Sequence, residues 1–197
     1  MKRIMIFNTI AILLIIIISY ISTPDNQMLS NHHLLTGFGS VVGFMALLWI
    51  LSLIAKDASI VDIFWGPAFI VLSASLLVAM NQVYSERSLF ILFLVSVWAL
   101  RLASHIGFRN IGHGEDFRYV EWREEGGKNY WWFSFFRVFL LQGALCTLVG
   151  LSIYFGYLNN APLSFIETMV CSSIFFVGLA WESISDLQLK SFKNNPS

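Results

Sequence analysis

The densest group of chemically capable side chains lies between residues 101 and 123, where the sequence reads RLASHIGFRNIGHGEDFRYVEWR. This stretch holds four of the twelve basic residues and two of the four histidines, together with three carboxylates, a tyrosine and a tryptophan. Guanidinium groups bind phosphate through paired N–H donors, and histidine, tyrosine and carboxyl groups can transfer protons. The residue types therefore suit an anionic cofactor, although basic and aromatic side chains also meet at many membrane surfaces.

The spacing of these residues predicts how helices would position them. Arg101, His105 and Arg109 are each four residues apart, which places them on one face of a helix. A glycine-rich stretch then interrupts that helix. Residues 115–124 predict a short interfacial helix, which ends at the glycine pair at 126–127.

Acidic residues occur in other apolar segments, and Glu182 and Asp186 are again four residues apart. Isolated charges at membrane depth cost roughly a few kcal/mol, so they tend to find partners. We therefore expect ion pairs across a cavity between members of two groups: Arg101, Arg109, Arg118 and Arg123 on one side, and Asp62, Glu182 and Asp186 on the other. The alternative is that the arginines only extend to the membrane surface, where the acids balance their charge.

The composition indicates an integral membrane protein of the all-α class. Of the 197 residues 57% are hydrophobic and 12% charged, with a mean hydropathy of +0.71, whereas a soluble domain has about twice that charged fraction. The net charge is zero, which gives no support for nucleic-acid binding. Cys146 and Cys171 both lie in apolar segments, and no metal site is predicted.

A bilayer span needs about 20 apolar residues, and the chain contains six such stretches. Residues 1–33 are predicted to be an N-terminal span or signal anchor followed by a loop that contains His32 and His33, and residues 34–197 a membrane domain. In the predicted span at residues 34–55, Gly39 and Gly43 form a pattern that lets helices approach closely. The six predicted spans are residues 4–22, 34–55, 60–80, 88–107, 131–154 and 163–189.

Positive charge predicts the orientation of these spans. With the N-terminus in the cytoplasm and six alternating spans, eleven of the twelve basic residues lie on the cytoplasmic side, and only Arg87 lies outside. Both termini are therefore predicted to be cytoplasmic, and the polar stretch at 101–123 would face the cytoplasm.

Five stretches of the sequence together carry a family resemblance. They are Asp62-x-x-Trp65-Gly66, Arg101-Leu-x-x-His105-Ile-x-x-Arg109-Asn110, Gly114-Glu115-Asp116-x-Arg118-Tyr119-x-x-Trp122-Arg123, Phe139-Leu-Leu-Gln142-Gly143 and Glu182-x-x-x-Asp186-x-Gln188-x-x-x-Phe192-Lys193. In this order they resemble the bacterial membrane proteins of domain-of-unknown-function family 1295, which is related to the steroid 5-alpha-reductase-like membrane reductases. The resemblance covers roughly residues 35–197.

The resemblance implies a reductase of a bacterial inner membrane that uses NADPH to reduce a C=C bond in a lipophilic substrate lying between the helices. It implies further that NADPH is held at the cytoplasmic ends of the helices. A hydride donor also needs a proton source, for which Tyr119, His105 and Glu182 are the candidates. The resemblance assigns the cofactor side to Arg101, Arg109, Glu115, Asp116, Arg118, Tyr119 and Asp186.

The family pattern continues beyond Lys193 into two further membrane segments that carry much of the cofactor site. We therefore expect a truncated member of the family whose reductase site is incomplete. Two other functions remain open. One is a membrane methyltransferase that acts on isoprenylcysteine or phospholipid and binds S-adenosylmethionine, and the other is a non-enzymatic small membrane protein. The sequence leaves the oligomeric state open.

Overall fold

The computed structural model describes residues 31–159 and 161–194, and within these residues the secondary structure is helical, without strands. The chain divides into two compact units, the second beginning at Ala161. The first unit contains α1 (Asn31–Ala55), α2 (Ile60–Ala79), α3 (Glu86–Asn110), α4 (Phe117–Gly126), a 3₁₀ turn (Gly127–Asn129), α5 (Tyr130–Ser134), a π-helical segment (Phe135–Leu140), α6 (Leu141–Val149) and α7 (Leu151–Tyr157). The second unit contains α8 (Phe165–Asn194).

Five helical segments are long and apolar enough to cross a membrane. They confirm an all-α integral membrane protein and agree with the last five predicted spans. The predicted first span, residues 4–22, lies outside the described residues. The five segments are His32–Ala55, Ile60–Ala79, Glu86–Asn110, Phe117–Tyr157 and Phe165–Lys193.

The predicted N-terminal loop is wrong in its last residues, because α1 begins before the predicted end of the loop. The helix already includes Asn31, so His32 and His33 lie in its first turn instead of a loop. The hydroxyl of Thr36 donates to the carbonyl oxygen of His32 at 2.7 Å, a bond between successive turns of this helix. The polar character of these residues suggested a loop, but polar side chains are also common in the first turn of a helix.

The core of the first unit forms around α2, which contacts both α1 and α3. Gly66 of α2 lies so close to α3 that a Cβ atom there would come within 2.7 Å of the Ala99 carbonyl oxygen. Farther along α2, the hydroxyl groups of Ser73 and Tyr157 are hydrogen-bonded at 2.5 Å, which ties α2 to α7 inside the apolar core. The absent side chain at Gly66 therefore sets the distance between the two helices that begin and end at the polar region.

The predicted close approach through Gly39 and Gly43 is wrong for the described part of the chain. Both residues are exposed, and a Cβ atom added to either would meet nothing within 4 Å. The helix contact instead uses Gly37, whose added Cβ would lie 3.0 Å from both Leu72 and Leu76 of α2. A small-residue pattern gives the spacing of a helix face, but not which face packs.

The predicted span at 131–154 is a helix with two irregular points. Residues Phe135–Leu140 are π-helical, and Gly150 separates α6 from α7. Next to the π-helical segment, the indole N–H of Trp49 in α1 donates to the carbonyl oxygen of Trp131 at 2.8 Å. The wider π turn disturbs the regular hydrogen-bond pattern, and Trp49 provides a donor from a neighbouring helix.

The second unit begins with a capping box. The Ser164 hydroxyl accepts from the amide of Glu167 at 3.2 Å, while the Glu167 carboxylate accepts from the amide of Ser164 at 2.9 Å. This reciprocal arrangement satisfies backbone donors at the start of α8. Glu182 and Asp186 lie one turn apart farther along this helix.

Candidate functional site

Helix α4 organises the polar region because its ends are sharply defined. Asp116 is the N-cap, and its carboxylate accepts from the backbone N–H of Arg118 at 3.0 Å. Gly127 closes the helix with a φ of +49°, a conformation that glycine adopts at little cost. The helix therefore begins two residues later than predicted, and both Glu115 and Asp116 precede it.

The first cluster, called here the Arg118 network, consists of Asp62, Asp116, Arg118 and Tyr119. The guanidinium of Arg118 binds Asp116 in a bidentate manner, with Nε 2.9 Å from Oδ1 and Nη2 3.1 Å from Oδ2. The same Nη2 donates to Asp62 at 3.0 Å, and the buried Tyr119 hydroxyl donates to the other oxygen of Asp62 at 2.7 Å. One carboxylate in the first turn of α2 thus holds two consecutive side chains of α4.

The second cluster, called here the Arg123 network, consists of Glu115, Arg123 and the backbone of the turn between α1 and α2. The Glu115 carboxylate accepts from Nη2 and Nε of Arg123, at 2.7 Å and 3.0 Å. Glu115 also accepts from the amide of Ala58 at 2.7 Å, and Arg123 donates to the carbonyl oxygen of Lys56 at 3.2 Å. This network fixes the start of α4 against the turn that precedes α2.

A third contact joins α4 to the π-helical segment. Arg137 donates to Glu125 at 2.8 Å, and its guanidinium lies 4.5 Å from the centre of the Trp122 ring. The Arg137 side chain is 14% exposed and that of Glu125 56%. Arg137 therefore joins the π-helical segment to the C-terminal half of α4.

The charge of Arg118 affects the ionisation of Asp116. Hydrogen bonds from the Arg118 side chain hold the pKa of the Asp116 carboxyl below its usual range, against the opposing effect of partial burial. The backbone N–H of Arg118 and the charges of Arg118 and Arg109 lower this pKa further. Arg109, at the end of α3, is therefore close enough to add positive potential to the Arg118 network.

The family model described as "Protein of unknown function (DUF1295)" matches residues 48–197, which is most of the chain and includes both networks. The chain belongs to the DUF1295 family. No curated protein and no solved structure matches this chain.

In this DUF1295 protein, the structure brings together several of the residues proposed for the site. Asp62 and Arg118 form one of the ion pairs expected from the sequence. Arg118, Asp116 and Tyr119 belong to the same network, whereas Glu115 belongs to the Arg123 network, where its oxygens accept three hydrogen bonds.

The remaining candidates lie on α3 and α8. Arg101 and His105 are partly buried on α3, and Arg109 is exposed near its end, with Nε 3.5 Å from Oδ1 of Asn110. Glu182 and Asp186 belong to the second unit, so their pairing with the arginines stays a prediction.

Asp62 was predicted as an ion-pair partner but not as a catalytic or cofactor-binding residue. A carboxylate in the first turn of a helix has an ordinary explanation in the helix dipole, which concealed its role as acceptor for Arg118 and Tyr119. The signal available in the sequence was the need of the arginines for partners. The contact of Arg137 with Trp122 had no comparable signal, because it depends on the π-helical segment.

Proposed function

We propose that this DUF1295 protein is a membrane-embedded oxidoreductase that uses NADPH to reduce a C=C bond of a lipophilic substrate. The observation that carries the proposal is the guanidinium of Arg118, which two carboxylates fix at one end of an apolar helix bundle while half of its side chain remains exposed. The family resemblance of the motifs around Arg118 supports the same function.

The hydrogen bonds of Arg118 make it suitable for an anion. Asp116 and Asp62 take the N–H groups of Nε and Nη2. Within the described residues Nη1 has no hydrogen-bond partner, so its two N–H groups can serve a phosphate oxygen. Arg109 adds positive potential nearby, as its effect on Asp116 indicates. These residues fit the phosphate groups of a dinucleotide, and we propose Arg118 and Arg109 as its ligands.

The proposal gives the other residues of this region supporting roles. Bound NADPH supplies the hydride, and the protein must supply a proton to the other carbon of the double bond. Tyr119, His105 and Glu182 remain the candidate proton donors. The hydroxyl hydrogen of Tyr119 is engaged by Asp62, so a donor role for Tyr119 requires that this bond open.

The proposal also specifies the cellular setting. Cytosolic NADPH can reach the Arg118 network only if this end of the bundle faces the cytoplasm, which is the orientation predicted by the distribution of basic residues. We propose that the protein lies in a bacterial inner membrane and that the lipophilic substrate enters from that bilayer. Labelling of the variant Arg109→Cys by a membrane-impermeant thiol reagent in inside-out but not right-side-out vesicles would agree with this orientation.

The function can be tested by titrating the purified full chain with NADPH while its tryptophan fluorescence is recorded. We expect saturable binding that Arg118→Ala weakens by more than about tenfold, since a charge-assisted hydrogen bond contributes about 1.5–3 kcal/mol. Lys128→Ala is the matched control, because Lys128 is an exposed basic residue just after α4.

Three outcomes would contradict the proposal in different ways. Binding of S-adenosylmethionine that NADPH does not displace would favour a methyltransferase. Binding of neither cofactor would favour a non-enzymatic membrane protein. Equal losses for Arg118→Ala and Lys128→Ala would show that NADPH interacts with general surface charge instead of this network.

A further inference from the structure

Asp62 joins two side chains with different environments. Its Oδ1 accepts from the buried Tyr119 hydroxyl, and its Oδ2 accepts from Arg118, whose side chain is half exposed. Both partners come from consecutive positions of α4, whereas Asp62 lies in the first turn of α2. A single carboxylate therefore links an accessible cationic group to a phenol inside the helix bundle.

The Tyr119 hydroxyl is buried and donates directly to Asp62. A buried phenol needs a hydrogen-bond partner, because an unsatisfied hydroxyl is costly away from water. Among the described residues the hydrogen-bond partner of the Tyr119 hydroxyl is Asp62. Any displacement of the Asp62 carboxylate must therefore either carry the phenol with it or break this bond.

A ligand at Arg118 would act on this carboxylate directly. An anion that binds the Nη1 side of the guanidinium competes with Asp62 and Asp116 for the same positive charge. The bond of Nη2 to Asp62 is the one that lies between Arg118 and Tyr119. Weakening or reorienting this bond changes the position of Asp62 and with it the hydrogen bond of the phenol.

We infer that Asp62 is a positioning residue that couples anion binding at Arg118 to the hydrogen bonding of Tyr119. The inference rests on the proposed function, because the anion is taken to be a phosphate group of NADPH. It goes beyond that function by giving Asp62 a role between the cofactor and a candidate proton donor. In this arrangement the phenol is released or redirected only when the cofactor is present.

Fluorine NMR on the full chain in detergent micelles tests the coupling. One sample carries meta-fluorotyrosine at position 119 and a control sample carries it at position 130, where the ring packs against Arg123 of the other network. We expect saturating NADPH to shift the resonance at 119 and to leave that at 130 unchanged. In Asp62→Asn the resonance at 119 should no longer respond to NADPH, although NADPH still binds.

A binding cycle provides a second measurement that does not depend on the label. Tyr119→Phe removes only the hydroxyl, and we expect it to change NADPH affinity by about threefold in the wild type and by less in Asp62→Asn, since contacting residues are not additive. Loss of folding cannot explain a smaller effect of Tyr119→Phe in Asp62→Asn. Each affinity in the cycle is measured on a variant that still binds NADPH.

The outcomes separate this inference from the proposed function. Absence of NADPH binding in the wild type overturns both. Binding with equal shifts at 119 and 130, with a shift at 119 that persists in Asp62→Asn, or with additive effects in the cycle, overturns the role of Asp62 alone. The supporting result is a shift confined to 119 that needs Asp62, together with a non-additive cycle.

Discussion

The two arginine networks formed by α4 and the residues before it use the same residue types in opposite ways. In the Arg123 network the Glu115 side chain is only 8% exposed and all its bonds hold the chain together, including one to the amide of Ala58. In the Arg118 network the Arg118 side chain is 50% exposed and its two carboxylates leave donors available. The difference assigns the Arg123 network to the stability of the fold, and it leaves the Arg118 network accessible for the binding role that we propose for it.

The comparison also shows how one network supports the other. Glu115 fixes the turn just before α2, and Asp62 lies in the first turn of that helix. Asp57 strengthens this turn by accepting from the backbone N–H of Ser59 at 2.8 Å. The position of Asp62, and therefore that of Arg118 and Tyr119, depends on a turn that the Arg123 network holds in place.

The largest effect is expected for Glu115→Gln, which would break the Arg123 network. Glu115 is the buried partner of this ion pair and accepts three hydrogen bonds, so replacing its carboxylate weakens several contacts at once. We expect the free energy of unfolding to fall by about 2 kcal/mol, measured by thermal or denaturant unfolding in detergent.

The matched control for this variant is Glu124→Gln, since Glu124 is an exposed glutamate of α4 next to Arg123. Its expected effect is below about 0.5 kcal/mol, as for most surface substitutions. If Glu115→Gln and Glu124→Gln lowered the free energy of unfolding equally, the Arg123 network would have no special role in the stability of the fold.

A smaller effect is expected for Asp116→Ala, which tests the Arg118 network. Loss of an N-cap side chain costs about 1 kcal/mol, and asparagine can replace aspartate in that role. Asp116→Asn should therefore keep most of the stability that Asp116→Ala loses, while it gives up the bidentate contact with Arg118. Unfolding measured on both variants at neutral pH decides between these contributions.

The ionisation of Asp116 adds a pH dependence with a defined sign. Its pKa is lowered in the folded protein, chiefly by the hydrogen bonds from Arg118, so its contribution is complete above its ordinary pKa of 3.8. The contribution is lost as the pH falls through the lower folded value. Asp116→Asn should lack this part of the acid-side loss, and an identical pH profile in wild type and variant would contradict the assignment.

The sequence was sufficient for the parts of this molecule that depend on hydropathy and charge. Continuous apolar segments predicted the helices, and the cost of isolated charges predicted the pair between Asp62 and Arg118. It was insufficient for Glu115 and Asp116, which are adjacent and were given the same role. The chain turns at the N-cap of α4, and this turn sends the two carboxylates to different networks.

The other differences also come from tertiary packing. The spacing of Gly39 and Gly43 correctly describes one face of α1, but Gly37 is the residue that contacts α2. The π-helical segment, on which the contact of Arg137 with Trp122 depends, has no signal in a pattern of apolar residues. Choices of helix face and local helix geometry follow from which neighbours are available, and a single sequence does not contain that information directly.

The smallest effect is expected for Glu125→Gln, which sharpens the comparison from a third ion pair. Glu125 is more than half exposed, whereas Arg137 is largely buried and stacks on Trp122. An exposed carboxylate contributes little, so we expect a loss below about 0.5 kcal/mol, which about 1 M salt should abolish. Because Glu115 is shielded, the loss in Glu115→Gln should survive the same salt. Equal salt sensitivity in both variants would show that burial does not distinguish the contributions of these ion pairs to stability. The binding role that we propose for Arg118 would then depend on the NADPH titration alone.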